Sequence, residues 1–164
     1  MYNVGEMVFY GGHGVCEIEE ITTMTVSNEE RQYYRLKSHV QPTLSLFHPV
    51  VTDKPKISKM LASEEIEKIL MIFKNEPSEW IERSIDRAKA HKKIMETKDQ
   101  FLIAQMINTI LRKELELQAQ GKKLYAQDQE LVRSVMAILS DQISISLMIS
   151  KEEVQKRIEQ YIQQ

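Results

Sequence analysis

Over residues 1–51 the apolar positions recur with the period of two that marks half-buried strands. "MVFY" is a continuous apolar run. In "VCEIEEI", Cys16 and Ile18 alternate with Glu17 and Glu19, and in "QYYRLKS", Tyr34 and Leu36 alternate with Arg35 and Lys37. In "TLSLFH", Leu44 and Leu46 alternate with Thr43 and Ser45. Pairs that favour turns stand between these runs: Gly11-Gly12, Ser27-Asn28 and Gln41-Pro42.

Near residue 55 the period changes. "VTDKPKISKM" reads as a polar bridge, and the remainder reads as helix. "ASEEIEKILMIFK" opens with Ser63 as a candidate N-cap and places Ile66, Ile69, Leu70 and Phe73 on one stripe. Pro77 steers the residue before it away from helical angles, so "NEPSEW" ends this helix. Ser78 is then a candidate cap for a second helix from about Trp80 to Met95. Thr97 and Gln100 fit a capping box for a third, with Ile103, Ile107, Ile110 and Leu111 on one face and Gly121 at its end. A fourth helix carries Leu131, Val135, Ile138 and Leu139. A fifth, opened by the Ser150–Glu153 capping box, carries Val154, Ile158 and Ile162. "ISISLMI" is read as a helix end or an extended link. The expected fold class is α+β: a small N-terminal β module of the Tudor or SH3 type, residues 1–55, followed by a compact all-helical domain, residues 56–164.

Composition adds mainly exclusions. The chain has 164 residues, is 42% hydrophobic and 28% charged, and carries a net charge of -2, so it should fold and shows no global nucleic-acid signal. "MYNVGEMVFYGGHG" lacks the basic start and apolar core of a secretory leader. No run approaches the roughly 18–20 apolar residues of a membrane helix. Cys16 is the only cysteine, which excludes an internal disulfide and fits a cytoplasmic location. No phosphate-binding G-x-x-x-x-G-K-[ST] loop occurs, and "GGHG" lacks the features of a dinucleotide fingerprint. His13 and Cys16 are two residues where a zinc site needs three or four, and residues three apart on a strand point to opposite faces. No enzymatic activity, metal, cofactor or small-molecule substrate is expected.

One segment departs from this plain picture. Residues 83–93 carry Arg83, Arg87, Lys89, Lys92 and Lys93 against Asp86 alone, a local net of +4. Arg83 and Arg87 share a helix face, as do Lys89 and Lys92–Lys93. Charge at this density is often only a solvated surface. Trp80, the single tryptophan, changes that, because cations that track phosphates beside a ring that stacks are the usual means of holding unpaired bases. Trp80 either anchors its helix to a core or is held out for a partner.

"VGEMVFYGGHGVCEIEEI", then "YYRL", then "EPSEW" before a basic helix, resembles the CarD/CdnL family of bacterial transcription regulators, whose N-terminal module also occurs in the transcription-repair coupling factor. Its anchors are Val4-Gly5, Val8, Tyr10, His13-Gly14, Ile21, Tyr33-Tyr34, Leu36, Pro49 and Glu76-Pro77 with Trp80. A chain of this length without a P-loop is not expected to hold the coupling factor's motor. The resemblance implies that the β module pairs with the RNA polymerase β subunit, here through Met24, Leu44, Leu46 and Phe47. It implies that Trp80 wedges against a base at the upstream edge of the promoter bubble, while Arg83, Arg87, Lys89, Lys92 and Lys93 hold phosphates of the promoter DNA. Three positions depart from the family pattern: Met24 and Phe47 stand where polymerase-holding arginines are usual, and Glu82 replaces a basic residue after the tryptophan. The alternative is a protein–protein adaptor with Trp80 packed at a domain seam and no DNA contact.

Overall fold

The period-two runs form one antiparallel sheet. Its strands are β1 (Met7–Tyr10), β2 (Gly14–Val26), β3 (Glu29–Ser38), β4 (Ser45–Pro49) and β5 (Ile57–Lys59), in the order β4-β3-β2-β1-β5. The structure, a computed structural model, describes residues 1–164 and divides into two units, Met1–Leu61 and Ala62–Gln164. The division falls past residue 55 because Ile57–Lys59 pairs with β1. That strand lies within the segment expected to be a polar bridge.

Turn chemistry sets the register. Ser27 and Asn28 are both left-handed, with φ of 51° and 64°, and join Val26 to Glu29 in the two-residue hairpin that suits strand twist. Pro42 follows Gln41, whose carbonyl accepts from the Leu44 N–H at 2.9 Å. The Glu19-Glu20 doublet has a separate role. The β2–β3 register shifts between Ile18 and Glu20, a bulge that brings Ile21 onto the face already occupied by Ile18. That face, with Val8, Tyr10, Cys16, Tyr34, Leu36 and Ile57, is the core of the unit. Cys16 is wholly buried, and His13 lies in the turn before β2 with its ring edge-on to Tyr10 at 5.1 Å.

The second unit comprises α1 (Ser63–Met71), a single tight turn at Ile72–Lys74, α2 (Ser84–Thr97), α3 (Gln100–Ala119), α4 (Ala126–Leu147) and α5 (Lys151–Ile162). The predicted stripe of Ile66, Ile69, Leu70 and Phe73 is entirely buried. At about 1.5–3 kcal/mol for each such side chain, packing rather than propensity accounts for so short a helix. Its cap differs from expectation: Ala62, not Ser63, occupies the N-cap and makes no side-chain bond. Asp99, not Thr97, caps α3 by accepting from the Phe101 and Leu102 N–H groups. Ser150 caps α5 as predicted, accepting from the Glu153 N–H. "ISISLMI" closes α4, which runs to Leu147.

The largest difference is at α2, which begins at Ser84 rather than near Trp80, with Arg83 as its N-cap residue. Ser78 caps nothing; its N–H donates to Thr109 Oγ1 at 2.9 Å. Residues 75–83 are therefore a non-helical strap leading into α2. No apolar side chain of α2 is fully buried. Its one buried residue is Arg87.

Candidate functional site

The strap is held at two points by side chains from distant helices. At its start, α3 supplies a polar ladder one helical turn apart. Gln105 Nε2 donates to the Glu76 carbonyl at 3.0 Å and to Ser78 Oγ at 3.1 Å, and Asn108 Nδ2 donates to the Asn75 carbonyl at 3.0 Å. Arg112 donates to the Phe73 carbonyl at 2.8 Å and to Asn108 Oδ1 at 3.0 Å. Asn108 is wholly buried, so its amide groups need these partners. They give the strap carbonyls the acceptor role that a helix would have met with its own backbone.

At the far end stands Arg87, only 3% exposed. Its Nε and Nη2 donate to the Asp128 carboxylate, the shortest contact being 2.7 Å, and Asp128 is itself 1% exposed. Its Nη1 donates to the Ile81 carbonyl at 2.8 Å and the Glu82 carbonyl at 3.1 Å. Arg87 does not join the exposed basic face, contrary to the phosphate-holding role expected for it. Its donors are spent inside the protein, on α4 and the strap.

Trp80 lies between these two fastenings, half-buried. The Arg87 guanidinium carbon is 4.6 Å from the centre of its ring, and Lys113 Nζ is 5.7 Å from it. The same guanidinium is 5.3 Å from the Tyr125 ring. Beneath the tryptophan is a cleft of about 180 Å³ whose walls include Ala90, Ile94, Leu102 and Met106. Trp80 is thus neither a core residue nor a free flag. It is a ring seated on a cation, with part of its surface open. Arg83 is exposed and pairs loosely with Asp86 at 3.6 Å, while Lys89, Lys92 and Lys93 are exposed along α2.

His91, the neighbour of this cluster, has Nδ1 3.8 Å from Asp128 Oδ1. Burial holds its imidazole below the usual value. Asp128 opposes that shift and Arg87 reinforces it. His48 in β4 is also depressed, first by burial, and its Nε2 accepts from the Lys56 N–H at 3.0 Å. Both imidazoles therefore remain neutral in the folded chain where the unfolded chain, near pH 6.5, already takes up protons. Stability is full above that pH and falls as the pH drops toward the depressed folded values. Thermal melts are expected to show a lower midpoint at pH 5.5 than at pH 7.5; equal midpoints would contradict the burial of both rings.

In the sheet, β4 is an edge strand with one side unpaired. Ser38 N–H donates to the Leu44 carbonyl, and Val50 N–H to the Gln32 carbonyl. This parity directs the backbone groups of Leu46 and His48 toward β3, and those of Ser45 and Phe47 outward. Leu46 packs on the core, and Leu44 shares its parity. Phe47, 45% exposed, stands on the outer face in one row with Arg35 and Glu20. Met24 lies on the same face, two cross-strand rows away, opposite Arg31. Of the four residues expected to meet polymerase, Met24 and Phe47 share an outward face, whereas Leu44 and Leu46 do not.

Asp128, Tyr125 and the α3 ladder were not singled out from sequence. A signal existed for Arg87: Ala90 and Ile94, three and seven residues on, put it on the inward side of its helix. Residues 2–60 match the CarD-like/TRCF RID domain, a family of RNA polymerase-interacting domains and in general not of enzymes. The match covers almost the whole first unit.

Proposed function

We propose, from the premise that residues 2–60 are a CarD-like/TRCF RID domain, that this chain is a transcription regulator acting at the promoter bubble. Its β module adds the free edge of β4 to a strand of the polymerase β subunit. Its helical unit touches the upstream fork, where Trp80 stacks on a base and Arg83, Lys89, Lys92 and Lys93 meet phosphates. The observation that carries this reading is the strap. A ring fastened on both sides by buried side chains, next to exposed cations, suits an unpaired base better than it suits core packing. The test is affinity capture of core RNA polymerase by the full chain, followed by the lifetime of open complexes with and without it. A chain that neither retains polymerase nor alters that lifetime would end the proposal.

The β4 parity gives a sharper test of the first contact. Phe47→Pro removes an outward N–H and leaves the β3 ladder intact, as edge strands tolerate. A hydrogen bond is worth about 0.5–1.5 kcal/mol net, so polymerase affinity is expected to fall by up to about tenfold. Phe47→Ala keeps that donor and isolates the side chain's share. Leu46→Pro instead breaks pairing with β3 and is expected to unfold the sheet edge. Unchanged affinity in a folded Phe47→Pro variant would place the contact elsewhere.

A further inference from the structure

We infer that Tyr125 is a second stacking ring for single-stranded nucleic acid, so that the Trp80 site holds at least two unpaired nucleotides rather than one. This rests on the nucleic-acid reading above and extends it to a loop that the basic-helix pattern does not include. The geometric basis is Arg87, whose guanidinium lies 4.6 Å from one ring and 5.3 Å from the other. The rings can therefore be no farther apart than the sum of those distances, a gap that a flexible strand can bridge with successive bases. Trp80 is half-buried, whereas Tyr125 is 62% exposed.

The chain builds this loop deliberately. Helix α3 ends in a Schellman motif: the Gly121 N–H donates to the Gln118 carbonyl and the Lys122 N–H to the Leu117 carbonyl, with Gly121 at φ 71°. Leu124 is buried and pins the loop, and the Tyr125 carbonyl accepts the Gln129 N–H of α4 at 3.1 Å. The ring is thus carried on fixed backbone. Tyr125 also occupies the N-cap position of α4 without making a side-chain cap, where Ser, Thr, Asp or Asn would serve the helix better. An exposed ring at a position where it does not help the fold points to use by a partner.

Charge selects the partner. Lys122 and Lys123, both exposed, immediately precede the ring's neighbour Leu124, and Lys113 approaches the Trp80 ring. Asp128, the acid closest to Arg87, is fully engaged by it. Glu79 and Glu82 flank Trp80 on the strap, so phosphates are drawn to the Lys122–Lys123 side instead. Aromatic faces with lysines beside them fit a nucleic-acid strand and not an acid-poor peptide.

The decisive substitution is Tyr125→Ser, which improves the α4 cap while removing the ring. Binding of a labelled oligothymidylate of roughly 12 nucleotides to the full chain at low salt is the readout. Tyr125→Ser is expected to melt at a higher temperature than the parent and yet bind roughly 5- to 150-fold more weakly. Tyr125→Phe should bind like the parent, because stacking uses the ring and not the hydroxyl. If Tyr125→Ser binds normally while Trp80→Ala binds weakly, the second ring is refuted and the single-ring site stands. If neither substitution weakens binding, both this inference and the nucleic-acid reading on which it rests are overturned.

Discussion

Arg87→Ala is expected to cost the helical unit about 3–5 kcal/mol, the price of leaving a buried carboxylate without its partner. Asp128 is 1% exposed and receives both its strong hydrogen bonds from Arg87, so alanine strands a charge that water cannot reach. Two strap carbonyls, those of Ile81 and Glu82, lose a donor in the same step. The effect should be larger than for any exposed cation of α2, because this helix has no other fully buried residue. Urea denaturation gives the number directly. Arg87→Met combined with Asp128→Leu should recover much of the stability, since apolar pairs often replace buried ion pairs at little cost. It should not recover the grip on the strap. A loss below about 1 kcal/mol for Arg87→Ala would return this residue to the solvated surface, where exposed pairs contribute that little.

The second large effect concerns Trp80. A base–aromatic stack is worth about 1–3 kcal/mol by alanine substitution, so Trp80→Ala should shorten the open-complex lifetime roughly 5- to 150-fold. Polymerase capture should be unaffected, because the β4 edge lies in the other unit. Some folding stability will also be lost. A fully buried tryptophan would cost about 3–5 kcal/mol, and this half-buried one is expected to cost roughly half of that. Trp80→Phe keeps a smaller ring and should fall between. The adaptor reading, with Trp80 as an interior residue, predicts a large thermal loss and an unchanged lifetime. Measuring both quantities on one purified variant separates the two.

The strands and the α1 stripe were legible because their signals are local: alternation, turn pairs and a three-four repeat lie within a few residues. β5 was not legible. Ile57-Ser58-Lys59 offers one buried apolar position behind a proline, and only pairing with β1 makes it a strand. The start of α2 was misplaced for a related reason. Pro77 was read as the opening of a helix, but Gln105 and Asn108 hold this stretch extended, and they lie about thirty residues away in the chain. Asp128 is 41 residues from Arg87, so nothing near the basic run shows that one of its charges is buried. The family resemblance located Trp80 correctly as a residue of interest, yet its neighbours' roles depended on these remote partners. Exposure is what a charge pattern alone cannot supply.

The strap also bears on the entropy of binding. An extended segment that became ordered only on meeting a partner would give up roughly 1–2 kcal/mol of backbone freedom per residue at the moment of encounter. Over residues 75–83 that would exceed the gain from one stacked base. Here the α3 ladder and Arg87 fix the segment while the helical unit folds, so the ordering cost is charged to folding and not to association. A single ring can then register its full stacking energy in the lifetime of whatever it touches.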